Sequence, residues 1–176
     1  MVTVNDEIRE RVNSYVRHIV SQGQASMRAA VLKGHEQLMA ELDGMTDEQA
    51  AFKPKPEEWS VVEVLRHALE SKRVIARRCV ALAKGEQAPP VQGIGAIAGE
   101  PFSSLDKARS ALADAHGELV RFVDTLSPEA NVSLKEPHPW FGPLDCREWA
   151  VFERVHDGDH TNQIGQIKSA TGFPAA

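Results

Sequence analysis

Three clusters of proline and glycine, at 44–58, 85–101 and 127–143, cut the chain into four long stretches with apolar residues at helical spacing. A helix with one apolar stripe must bury that stripe against another element. Four such stripes, with little β-type alternation between them, predict an all-α four-helix bundle. The second and third stretches are joined by a long linker, 85–102. A long link lets consecutive helices run parallel, so an up-down-down-up order is expected over up-down-up-down.

Each stretch carries its own boundary signals. The first, about Asn5 to Asp43, has Ile8, Val12, Tyr15, Val16, Ile19 and Val20 on one stripe and Met27, Val31, Leu38 and Leu42 on another. Gly23 marks a break or bend between them, and Gly44 is a candidate C-cap. The second opens on a capping box, Ser60-Val61-Val62-Glu63, and stops near Lys84-Gly85. The third, about Ser104 to Leu126, ends at Ser127-Pro128. The fourth opens on a second capping box, Asp145-Cys146-Arg147-Glu148, and runs to about Thr171 before Gly172 and Pro174.

The bulk properties remove several classes of function. A net charge of −5 argues against nucleic-acid binding by bulk charge. Two cysteines, Cys79 and Cys146, cannot make a disulfide framework, and no Cys-x-x-Cys occurs. No apolar run approaches the ~20 residues of a membrane span, and the opening MVTVNDEIRERV lacks the apolar core of a signal peptide. A cytoplasmic protein without nucleic-acid or membrane partners is expected, its 176 residues forming one domain. The glycine-rich GIGAIAG at 93–99 follows no strand and opens no βαβ unit, so it is read as loop and not as a dinucleotide fingerprint.

The chemistry concentrates near the C-terminus, in HDGDHTNQI. His156 and His160 stand at i and i+4, on one face of the fourth helix, in the same sector as Trp149, Phe152 and Ile167. They point into the bundle, and two imidazoles on one face can share a metal ion. In the up-down-down-up layout His67 of the second helix lies within a turn or two of their height, at about 1.5 Å per residue. His67 is therefore the candidate third ligand. His35, central on the later stripe of the first stretch, reads first as a core histidine, with a further pocket ligand or substrate contact as the alternative. His18 and His116 read as surface residues. Glu153, one turn before His156, is a candidate general base, but it reads first as a carboxylate that orients a histidine or as an interhelix salt bridge. Cys79 and Cys146 read as structural, although Cys146 sits in a helix first turn where a thiol pKa can fall.

These residues resemble a known family. Trp59-Ser60-Val61-Val62-Glu63-Val64-Leu65-Arg66-His67 is similar to the W-S-x-x-E-x-L-x-H signature of the DinB-like metalloenzymes. His138-Pro139-Trp140-Phe141-Gly142-Pro143-Leu144 with Arg147-Glu148-Trp149 resembles that family's entry into its last helix, and His156 to Ile164 its H-x-x-x-H-x-x-Q-I motif. The likeness spans about residues 24–172, leaving 1–23 as an N-terminal helical extension. It implies a four-helix bundle in up-down-down-up order. It further implies a divalent metal, zinc or nickel, held by His67, His156 and His160, and a homodimer. Relatives use such a site to activate a thiol or a water. A metal-dependent enzyme acting on a small molecule is thus expected, a thiol-dependent transferase with a low-molecular-weight thiol, or a hydrolase. The alternative is a non-catalytic metal-binding bundle with a structural or stress-related role. Gly158, between the two histidines, departs from helix preference and suggests a close approach by a neighbouring helix or a partner.

Overall fold

The computed structural model describes residues 5–88 and 100–175. Among the described residues, six helices and one short hairpin are formed: α1 Asp6–Ser21, α2 Gln24–Ala40, α3 Asp47–Ala51, α4 Val61–Ala83, α5 Leu105–Asp124, β1 Glu136–His138, β2 Gly142–Leu144 and α6 Cys146–Lys168. The long first stretch is thus two helices. Gly23 breaks it, with φ of 89°, a conformation that disfavours any residue with a Cβ. Both expected capping boxes form. Ser60 and Glu63 cap α4 reciprocally, and Asp145 and Glu148 cap α6. A third capping box, Thr46 with Gln49, starts the short α3 inside the first Pro/Gly cluster, where no helix was expected. The β1–β2 hairpin, pairing Glu136 with Leu144, was also unexpected. Three residues per strand are too few to show alternation.

The long helices α2, α4, α5 and α6 make the bundle. Around its square cross-section the order is α2, α6, α4, α5, so α2 and α4 lie across a diagonal. Glu41 after α2 salt-bridges Lys168 at the end of α6 at 2.9 Å, so α2 and α6 run parallel. Gln24 at the start of α2 donates to the Val123 and Asp124 carbonyls at the end of α5, so that pair is antiparallel. Lys72 of α4 meets Glu153 and Asp157, while Arg78 further along α4 lies 4.6 Å over the Trp149 ring, nearer the start of α6. These two are antiparallel as well, and the order is up-down-down-up. The glycine-rich stretch 93–99, between α4 and α5, lies outside the described residues.

Helix α1 packs on α6 and the hairpin. Arg9 Nε donates to the Trp140 carbonyl at 2.7 Å, Asn13 Nδ2 donates to the Phe141 carbonyl at 3.0 Å, and Val16 enters the core. Tyr15, expected on its buried stripe, is instead 38% exposed.

The core has two apolar halves. One joins Met27, Val31, Ile75, Cys79, Leu119, Phe122 and Trp149; the other joins Leu38, Leu42, Val64, Leu65, Leu112 and Ile164. Along each helix the boundary falls at a polar side chain: His35 on α2, Lys72 on α4, His116 on α5, and Glu153 and Asp157 on α6. A polar layer therefore crosses the bundle at mid-height. Buried polar groups are tolerated only when they find partners, and the site is built at one edge of this layer.

Candidate metal centre

Two helices bring three histidines together. On α6, His156 and His160 are one turn apart, with ring centroids 4.4 Å apart and planes at 89°. On the antiparallel neighbour α4, His67 places its ring 5.4 Å from His156 and 5.0 Å from His160. One nitrogen of each ring lies within 4.8 Å of the others. Trp59, just ahead of the α4 cap, lies 5.2 Å from His67 and closes one side. On the hairpin, His138 packs at a tilt among Phe141, Trp149 and Phe152, its ring 4.6 Å from that of Phe152.

The ring nitrogens are differentiated. His160 Nδ1 donates to Gln163 Oε1 at 3.0 Å, which leaves its Nε2 as a lone pair facing His156 Nε2 at 3.1 Å. Two ligands of a tetrahedral ion at about 2.0–2.1 Å stand about 3.3 Å apart, close to this spacing. Burial, then the proximity of His67, lowers the His156 pKa to about 3. Burial, then His156, lowers that of His160 to about 3. Both rings are neutral at physiological pH, as metal ligands must be. A set of three imidazoles, each with one ring nitrogen within 4.8 Å of the others, fits a divalent cation, and these residues can hold one.

His35, read first as a core histidine, packs away from the triad. His35 stacks on His116, centroids 4.1 Å apart and planes 11° apart. The reason is topological: α2 lies diagonally from α4 and faces α5. His116, expected on the surface, is buried. Among the described residues, the group of side chains placed to hold an ion comprises His67, His156 and His160.

Behind the histidines is an ion cluster that the sequence reading did not assemble. Lys72 is wholly buried, and its Nζ donates to Glu153 Oε1 at 2.8 Å and to both Asp157 oxygens at 2.5 and 2.7 Å. Burial alone would lower the Lys72 pKa; Glu153 and Asp157 outweigh it, and the pKa ends raised. Glu153, placed by helical arithmetic on the shoulder of the apolar face, is 1% exposed. Its Oε1 lies 3.9 Å from His156 Nδ1. Asp157, expected further round, is also fully buried. Room for it comes from Gly34 of α2, where an added Cβ would stand 3.1 Å from Asp157 Oδ2. The close helix approach is therefore at Gly34. At Gly158 an added Cβ would meet the mobile end of Arg154 on the same helix.

Neither cysteine has the character of a nucleophile. Cys79 is buried in the core, its pKa raised well above normal by burial. Burial, then Asp145, raises that of Cys146 to about 11, which outweighs any helix-dipole effect.

Comparison with known proteins bears on the family and the fold. The DinB superfamily model matches residues 30–164. The chain is 29% identical over 143 residues to the uncharacterized protein YuaE of Bacillus subtilis (strain 168), a match covering 73% of this chain and 88% of that one. Among solved structures, it is similar to TT2238, a four-helix bundle protein, with a TM-score of 0.63 at 17% identity over 82% of this chain and 99% of that one. It is also similar to YfiT from Bacillus subtilis, described as a probable metal-dependent hydrolase with an unusual four-helix bundle topology. There the TM-score is 0.62 at 15% identity, over 99% of this chain and 93% of the other.

Proposed function

The chain belongs to the DinB superfamily, and from that premise we propose that it is a metal-dependent enzyme. It acts on a small molecule through a divalent cation, zinc or nickel, held by His67, His156 and His160. The observation that carries this reading is the count of protein donors. Structural zinc sites are closed by four protein ligands, whereas catalytic sites use three and leave a position open. Three histidines converge here, and His35 is turned away against His116. That favours an enzyme over a purely structural bundle.

A divalent cation bound there supplies Lewis acidity, which makes a water or a thiol nucleophilic at neutral pH. The chain's own residues prepare for it. Gln163 fixes the His160 tautomer. Trp59 borders the site with its ring 5.2 Å from that of His67. No acidic side chain is among the three donors. Hydrolysis is supported by the description of YfiT; thiol transfer with a low-molecular-weight thiol is the finer alternative, and a homodimer is part of the same reading.

The test is elemental analysis of protein purified without a histidine tag. About one divalent transition metal per chain is expected, the capacity of one three-histidine group. His156→Ala and His160→Ala should lose it while keeping wild-type helicity. Metal retained in either variant would remove the ligand assignment, and a metal-free wild type after reconstitution would remove the enzyme reading.

A further inference from the structure

A carboxylate and an imidazole face each other behind the site, each with a buried polar atom left over. Glu153 Oε2 and His156 Nδ1 have no hydrogen-bond partner among the described residues. They belong to side chains one helical turn apart, with His156 Nδ1 3.9 Å from Glu153 Oε1. Buried polar atoms normally find partners, and these two side chains are each other's neighbours.

We infer that Glu153, anchored by Lys72, is the positioning residue of the metal site. It accepts a hydrogen bond from His156 Nδ1–H, so that His156 presents Nε2 to the cation. This rests on the metal-site reading above. Three observations converge on it. Lys72 holds Glu153 Oε1 at 2.8 Å, which fixes the carboxylate and leaves Oε2 available. His160 has the equivalent arrangement already, with Gln163 on Nδ1 and Nε2 turned inward. His156 therefore needs an acceptor on the same side of its ring, and Glu153 is the carboxylate within 4 Å of it. Lastly, the cluster is formally unbalanced: one lysine stands against two carboxylates, Glu153 and Asp157, all fully buried. A cation held on the far side of His156 supplies the missing positive charge. Glu153 lies behind the histidines and not beside the reacting atoms, so it acts through His156 and is not the general base.

The two carboxylates allow a controlled test, because both hold Lys72 but Glu153 alone is placed to meet His156 Nδ1. Zinc affinity is measured by chelator competition on full-length wild type, Glu153→Gln and Asp157→Asn. Glu153→Gln should bind zinc about 10–100-fold more weakly, the usual cost of losing a carboxylate behind a ligand histidine. Asp157→Asn should lose clearly less. Side-chain nitrogen NMR of the zinc-loaded wild type should show His156 bound through Nε2, with a slowly exchanging Nδ1–H. This last readout needs no variant to fold. Equal affinity for Glu153→Gln and wild type, equal losses in the two variants, or zinc on His156 Nδ1 would each overturn the inference while leaving the metal site intact. A wild type that binds no zinc would overturn both.

Discussion

Gly34 sets how closely α2 can approach α6. A Cβ there would stand 3.0 Å from Arg154 Cδ, 3.1 Å from Arg154 Cα and 3.1 Å from Asp157 Oδ2. The backbone Cα cannot swing aside, so Gly34→Ala must separate the helices or displace Asp157 from Lys72. Overpacking of that kind costs about 1–3 kcal/mol, against about 1 kcal/mol gained in helix propensity. Gly165, also within a helix, has nothing within 4 Å of its Cβ position. Gly165→Ala should therefore stabilise, by up to about 1 kcal/mol. Thermal melts should move in opposite directions for the two variants, by about 2–4 °C per kcal/mol in a protein of this size. At this scale the sequence was half read. The histidine triad was found from i, i+4 spacing and helix height. Lys72 was not, although it falls in the same sector as Leu65, Ala68 and Cys79 at 100° per residue. A charged residue on an apolar arc carries no ligand signature. His116 differs from expectation for a similar reason: its position, between Leu112 and Leu119, is buried, but no motif pairs it with another residue.

The helix termini were the most legible elements, because capping is local chemistry written in four residues. Asp145 shows how much one such residue holds. Its Oδ1 accepts from Arg147 N at 2.8 Å and Glu148 N at 3.0 Å, and its own N donates to Glu148 Oε2 at 2.9 Å. Lys135 reaches the same Glu148 oxygen at 2.9 Å, tying the loop before the hairpin to the helix start. Asp145→Ala should cost about 1–2 kcal/mol, read as a lower unfolding midpoint in urea. Zinc affinity should be close to wild type, since the two α6 histidines lie about three and four turns further along the helix. A large loss of zinc binding would mean that the helix start is coupled to the site. Other elements were not readable. The fate of α1 depends on surfaces from α6 and the hairpin, brought together only by the fold. The hairpin and α3 are too short for a period to show. The break at Gly23 was anticipated as a position, yet its sharpness depends on a positive φ that no pattern announces.

At the scale of the whole bundle, the order of helices could be inferred from one long linker, but the diagonal placement of α2 and α4 could not. That placement decides which histidines meet. It sends His35 to His116 on α5 and leaves His67 with His156 and His160 on α6. It also closes the polar layer between the two apolar halves of the core. The stacked pair is the part of that layer with the least compensation: the Nδ1 atoms of both rings have no hydrogen-bond partner among the described residues. Burial, then Lys72, lowers the His35 pKa from 6.5 to about 4, with Asp157 pulling the other way. Burial, then His35 and Lys72, lowers that of His116 to about 3. The direction of the stability change follows. Below pH 6.5 the unfolded chain takes up protons at these two positions while the folded protein does not. Their contribution is therefore complete above about pH 6.5 and falls away as the pH drops toward 4, where protonation separates the stacked rings. The metal-free protein should lose thermal stability between about pH 7 and about pH 5. His116→Phe keeps a buried aromatic ring against His35 but cannot take up a proton. Its midpoint should fall less over the same interval, and it should melt closer to wild type at the acid end than at neutral pH. Parallel pH profiles for the two proteins would show that the acid sensitivity of the bundle lies in other groups, and that the stacked pair adapts to protonation without cost to the fold.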